Sequence, residues 1–194
     1  MRESSAFQSV IAALAAAAAL SFIATPTASA DATSDLLKAC KITDNEQVQE
    51  LAIDLTLDEG ALLDMINNFR TENGVAPLEF DRDVTRAAVI ESHDNVLRGR
   101  PDHQDVLGRK VRERLQDCGV DAPSGSENIY AGYGLEVSQS AANAFEYWKK
   151  SDQGHRENML DPAWTKVGIA LGYNGEIGQV KEWNRVHWTA VFTS

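Results

Sequence analysis

The chain is short of several things that would narrow its function at once. It has only two cysteines and four histidines in 194 residues, 7% aromatics, and 18 Lys and Arg against 29 Asp and Glu. The resulting formal net charge of −11 repels phosphate backbones and anionic lipid surfaces, which argues against a basic nucleic-acid face. There is no CxxC pair, so cysteine redox or metal chemistry has no local motif, and no HExxH to set two ligands on one helical face. No internal repeat or low-complexity tract follows the first thirty residues. The one long apolar run, Val10 to Ala24, falls short of the roughly 20 residues a membrane span needs.

What is present at the N-terminus is an export signal in outline. Arg2 supplies a basic start, the Ala/Leu-rich run follows, and Ala28-Ser29-Ala30 offers a small-residue cleavage site. Residues 1–30 are therefore expected to be removed, leaving a secreted chain from about Asp31 with no integral span; an uncleaved anchor is the competing reading. Residues 31–60 form a polar, acidic extension, weakly helical over Asn45 to Ile53, and residues 61–194 have the length of one domain. In an oxidising compartment Cys40 and Cys118 read as one disulfide tying the extension to the core. Closing so long a loop is worth about 4–5 kcal/mol in the chain-entropy model.

Helices come first. Thr56-Leu57-Asp58-Glu59 has capping-box spacing, Leu62, Met65, Ile66 and Phe69 follow at helical period, and Gly74 precedes Pro77 as a stop. Asp81 opens a second helix with Val84, Ala88 and Ser92 on one face and His93 and Leu97 on its neighbour. Gly99 to Asp105 reads as a loop holding Pro101 and His103, and a third helix is expected on Leu107, Val111, Leu115 and Cys118. Pro123 to Ser126 reads as loop, with Glu127 to Gly132 leading out of it. Ser138 is placed as the cap of a fourth helix with a core face of Ala141, Phe145 and Trp148. The stretch Gly154-His155-Arg156-Glu157-Asn158-Met159-Leu160 then forms a turn closed by Pro162. Two alternating strands end the chain, on Val167, Ile169, Leu171 and Tyr173, then on Val186 to Phe192, with Asn174-Gly175 as a turn signal. Helices early and strands late favour α+β with an antiparallel sheet over a doubly wound fold.

Five of these stretches, taken in order, resemble one family. They are Asn67-Asn68-Phe69-Arg70 with Gly74 and Pro77-Leu78; Ser126-Glu127-Asn128-Ile129; Trp148 to Ser151 followed by Gly154 to Leu160; Val167-Gly168-Ile169-Ala170; and Trp188-Thr189-Ala190-Val191-Phe192. Together they are similar to the CAP superfamily (cysteine-rich secretory, antigen-five and pathogenesis-related proteins), in its bacterial SCP-like branch. The resemblance runs from about Leu62 to Phe192. It implies an α-β-α sandwich with a small antiparallel sheet between helices, and a cleft facing two His and two acids. By position, these match His103, Glu127 and His155. The second acid, three residues after the helix Trp in animal members, is replaced here by Ser151, and Glu146 lies almost on the far side of the helix. Ser126 replaces a Gly, Glu91 stands where bacterial members commonly have His, and Ala190 replaces a polar residue.

Two imidazoles and a carboxylate are a competent set for Zn2+ or another divalent cation, with water in the fourth position ready to attack a carbonyl. Against this stands a hydrogen-bonded polar cluster that merely satisfies buried groups. Ser151, His155 and Glu127 also suggest a triad, though Ser151 ends a helix and no oxyanion-hole signature accompanies it. His93 and His187 read as structural, and Arg156, Glu157 and Asn158 as fixing the turn. Tyr130, Tyr133, Trp148, Trp164 and Trp183 are candidate groove walls or core, with Trp183 the most exposed by its charged surroundings. The reading that follows is a secreted binding or recognition module for a small-molecule, lipid or protein ligand at the His103/Glu127/His155 cleft. A metal-dependent, peptidase-like hydrolase using the same residues is the alternative.

Overall fold

The computed structural model describes residues 55–175 and 184–194. The expected export signal of residues 1–30, most of the extension with Cys40, and Trp183 lie outside those residues. Thr56 begins the first helix, α1 (Leu57–Glu72), by the expected reciprocal cap: its hydroxyl accepts the Glu59 amide, and the Glu59 carboxylate accepts the Thr56 amide at 2.9 Å. A cap of this kind is worth about 1 kcal/mol. The chain continues as β1 (Glu79–Phe80), α2 (Arg82–Arg98), α3 (Val111–Asp117), β2 (Gly125–Tyr133), α4 (Val137–Lys149), α5 (His155–Leu160), β3 (Lys166–Tyr173) and β4 (Arg185–Thr193).

The sheet runs β1-β3-β4-β2 and separates two helical layers. One face, with Val167, Ile169, Trp188 and Phe192, packs on Leu62, Ile66, Trp148 and Met159 from α1, α4 and α5. The other, with Ala170 and Val191, packs on Val84, Ala88 and Leu115 from α2 and α3. This is the expected α-β-α sandwich. Gly168 and Gly172 let α2 lie flush on β3, because a Cβ at either would overlap the α2 backbone at Thr85 or Ser92.

Several local expectations need correction. The long strands are antiparallel, but β1 pairs parallel to β3, so the sheet is mixed. The reason is connectivity: α1 and α2 lie on opposite faces, and β1 is the chain crossing the sheet edge between them. The segment Gly125–Tyr133 is a full strand rather than a loop exit, registered with β4 over nine pairs. Its Glu and Asn face opposite layers, so it lacks the alternation that marks a half-buried strand. The third helix starts only at Val111, and Leu107 is 49% exposed. Asp105 accepts the Leu107 and Arg109 amides, and Gly108 turns at φ +81, so the chain makes a tight turn there instead. Helix α4 begins from Glu136 rather than Ser138, without a side-chain cap, which puts Val137 in the core. The His155 stretch is a short helix, entered through Gly154 at φ +96 and stopped at Asp161 before Pro162.

Arg70 ties the two ends of the α1 layer together. It is 1% exposed, and its guanidinium donates to four carbonyls: Ala76 at 2.7 Å, Met159 at 2.8 Å, and Asp161 and Trp164 at 3.0 Å. Two of the acceptors belong to Asp161 and Trp164, which line the site below.

Candidate functional site

The site forms where the two helical layers meet around the open edge of β2. From the α2 side, the loop after Gly99 carries His103, and α3 carries Arg114. From the other side, α5 begins with His155. Strand β2 lies between, sending Glu127 toward α3 and Asn128 toward α5, as strand alternation requires.

Glu127 is buried and fully engaged. One carboxylate oxygen accepts from His103 Nδ1 at 2.9 Å and the other from the Arg114 guanidinium. The Glu127 hydrogen bond raises the His103 imidazole above its ordinary value, and partial burial opposes it. His103 is more than half exposed, at 56%. Arg114, which has no exposed surface, also pairs with Glu91 and donates to Arg109 O at 2.9 Å. One guanidinium is thus shared between two buried carboxylates. Burial comes first in pushing Glu91 up, to about 8; Arg114 opposes it, while Glu127, Asp94 and Asp105 reinforce it.

His155 is held from the helix side. Its Nδ1 lies 2.9 Å from Ser151 Oγ, and that hydroxyl also accepts the Gln153 amide at 3.0 Å. Burial lowers His155, helped by His103 and opposed by Glu157, so it is neutral at pH 7. An amide chain fixes the backbone beneath it: Asn128 Nδ2 donates to His155 O at 2.9 Å, Asn158 Nδ2 to Asn128 Oδ1 at 2.9 Å, and Trp164 Nε1 to Asn158 Oδ1 at 3.0 Å. The Asn residues of two separate motifs therefore lock α5 onto β2.

Two hollows meet at the imidazoles. A polar one of about 380 Å³ is lined by Ser126, Gln153, Glu157, Asn158, Asp161 and Trp164, with Glu127 and Asn128 at its floor. An aromatic one of about 430 Å³ is lined by Pro101, Asp102, Ile129, Tyr130, Ala131 and Tyr147. His103 and His155 line both. The rings of Tyr130 and Tyr147, and of Tyr147 and His155, are each 5.6 Å apart, forming a continuous aromatic row. Among the described residues neither imidazole Nε2 has a hydrogen-bond partner, since each ring is anchored through Nδ1.

The structure thus brings His103, Glu127 and His155 into one cleft, but not as a triad: Glu127 orients His103, whereas Ser151 orients His155. Of the expected donor set, Glu127 is already engaged: its carboxylate is shared between a guanidinium and an imidazole, and the buried Arg114 charge beside it opposes a dication. Among the described residues no three His, Cys, Asp or Glu side chains are grouped to hold a metal. Glu146 pairs with Lys149 and Lys150 at the surface and lines neither hollow. Trp148 is core, with no exposed surface and its Nε1 donating to Ile129 O at 3.0 Å, while Trp164 is half-buried and lines the polar hollow. His93 is half-buried outside the cleft, lowered by burial. His187 lies under the sheet face at 1% exposure, with neither ring nitrogen hydrogen-bonded among the described residues, and burial pushes it down to about 4, aided by Arg185 and Arg98. Sequence reasoning passed over Arg114. The signal was a charge one turn from Val111 and beside Leu115, on the buried stripe of a helix.

Comparison with known proteins places this architecture. The model of the Cysteine-rich secretory protein family (CAP) matches residues 63–192. The uncharacterized protein YkwD of Bacillus subtilis is 25% identical over 119 residues, 61% of this chain and 44% of YkwD. The uncharacterized membrane protein YlbC of the same organism is 30% identical over 116 residues, 60% of this chain and 32% of YlbC. The match therefore spans less than half the length of either relative. Among solved structures, an outer surface protein from Borrelia burgdorferi superposes with a TM-score of 0.58 at 18% identity, covering 73% of this chain and 96% of that one. An extracellular protein containing an SCP domain from Bacillus anthracis gives 0.54 at 23%, covering 73% and 44%. At these identities the structures share the fold.

Proposed function

The chain belongs to the cysteine-rich secretory protein (CAP) family, and from that premise we propose that it is exported and works outside the membrane as a binding module. Its ligand sits against His103 and His155, with its polar part toward Asn158 and Asp161 and its apolar part toward Tyr130 and Tyr147. The observation that carries this reading is the anchoring of both imidazoles through Nδ1, which leaves both Nε2 atoms without a hydrogen-bond partner among the described residues, on two rings that line both hollows. Groups pre-positioned in this way bind with little ordering cost. Hollows of this size lie at the lower end of the range for small-molecule sites. Export is supported by the composition of residues 1–30; among the described residues no helix is long and apolar enough to cross a membrane.

A metal-dependent hydrolase on His103, Glu127 and His155 is the competing reading. Two measurements separate them. A screen of small polar and aromatic fragments, followed by the ring resonances of both histidines, should find compounds that shift both saturably and lose affinity in His155→Ala. If no fragment moves either ring, the binding reading is wrong. Zinc titration by calorimetry should show no stoichiometric site. Tight binding abolished by both His103→Ala and His155→Ala, and weakened by acid, would establish the metal reading instead.

A further inference from the structure

The two hollows lie end to end along a single strand. Ser126, Glu127 and Asn128 contribute to the polar one, and Ile129, Tyr130 and Ala131 to the aromatic one, so together they track six consecutive residues of β2. Strand β2 is the edge of the sheet, paired on one side only, with β4. Which of its backbone groups face outward follows from one contact. Trp148 Nε1 donates to Ile129 O, so that carbonyl points away from β4. The amide and carbonyl of a strand residue face the same edge, and the facing alternates along the strand. Ala131 and Tyr133 therefore also present their backbone groups outward, and among the described residues nothing hydrogen-bonds to them.

Elsewhere this sheet closes its edges. At the opposite side β1 is only two residues long, and beyond it the Leu171 amide donates to the Glu59 carboxylate at 3.0 Å. On β2 itself the Trp148 indole closes Ile129. An uncapped, uncharged stretch next to an open hollow is the kind of edge that pairs with another strand.

We propose that the outer edge of β2 at Ala131–Tyr133 receives an extended peptide, which adds there as a further strand and lies across His155 and His103 along the cleft. This rests on the cleft being the binding site and names its ligand class. Main-chain hydrogen bonds to Ala131 and Tyr133 hold the peptide in register, and alternate side chains enter the hollows. Tyr133 and Tyr147, 53% and 52% exposed, flank the entry and cover apolar side chains. Asp102, Glu157 and Asp161 rim the path, and the chain carries a net charge of −11, so the favoured peptide is neutral or basic.

The test uses the mature chain and random peptides displayed on phage, with selected sequences then synthesised. Ala131→Pro removes an amide that faces solvent rather than β4, so the variant is expected to fold. It should weaken the selected peptides about tenfold or more, the scale of one or two lost main-chain hydrogen bonds. N-methylating alternate peptide amides should abolish binding in one register and leave it in the other, a readout independent of whether Ala131→Pro folds. Peptides that bind without register dependence, or a selection that yields none, would overturn the strand-addition proposal. If fragments still shift the His103 and His155 rings in that case, the cleft reading survives alone. If they do not, both fall.

Discussion

Replacing Glu91 with Gln isolates the buried charge at the base of the site. Glu91 has no exposed surface and contacts Arg114, Asn95 Nδ2 donates to it at 3.2 Å, and the Arg98 guanidinium stands 4.0 Å away. Burial is the first cause of the raised Glu91 value, and Glu127, Asp94 and Asp105 add to it against the opposing charge of Arg114. Its carboxyl accordingly moves from 4.5 to about 8. The sign follows from proton counting. Between those pH values the folded chain keeps a proton that the unfolded chain has released, so stability falls as pH rises through the window and levels off above it. A displacement of that size corresponds to on the order of 5 kcal/mol when complete. Gln retains an uncharged hydrogen-bonding group of the same shape and has no proton to lose. Urea unfolding of the mature protein at a series of pH values should show the midpoint dropping from about pH 5 to about pH 8 in the wild type. Glu91→Gln should flatten that drop and be the more stable protein at the alkaline end. Parallel pH profiles for the two proteins would refute the argument, because Glu91 would then be ionised throughout and paired with Arg114.

Arg70→Met should destabilise by about 3 kcal/mol, since a buried guanidinium that donates to four carbonyls, one of them in a fully buried contact, is lost, and denaturant titration measures it. A cost within about 0.5 kcal/mol, the range of surface substitutions, would show that water replaces the guanidinium freely. Glu127→Gln should lower the His103 titration midpoint, followed by ring proton resonances, because the raised value comes first from that hydrogen bond. The stabilisation from this pair is present at acidic pH and is lost as pH rises through the His103 midpoint; an unchanged midpoint would place His103 away from Glu127 in solution. Cys118 is buried just past α3, and no described cysteine is free. Thiol titration of the unfolded, unreduced mature chain should find no reactive thiol if Cys40 is its partner, and two reactive thiols would disprove the bridge.

Much of the helical layering was legible from residues alone. The Thr56/Glu59 cap and the Asp81 cap are short-range chemistry, and Leu62, Ile66 and Phe69 repeat at a period that only a helix satisfies. Strands β3 and β4 showed through their alternation, although both of their faces turn out to be buried. Strand β2 did not show, because Glu127 and Asn128 look like loop residues until Arg114 and Asn158 are brought to them from 13 and 30 residues away. His103, Glu127 and His155 could be named as one cleft through resemblance to a family. Their hydrogen-bond partners could not be assigned: Glu127 was as reasonable a partner for His155 as for His103.

The sequence by itself determined the helical periods, the caps, the turn-forming glycines and the net negative charge, all of which are set by residues within a few positions of one another or by composition. Only the tertiary structure decided that Arg114 occupies the Glu127 carboxylate, that Ser151 holds His155, and that the backbone of β2 is left open beside them. Each of these depends on which layer a strand residue faces and which edge its amide points to. Those are properties of the strand's place in the sheet, and no local pattern carries them.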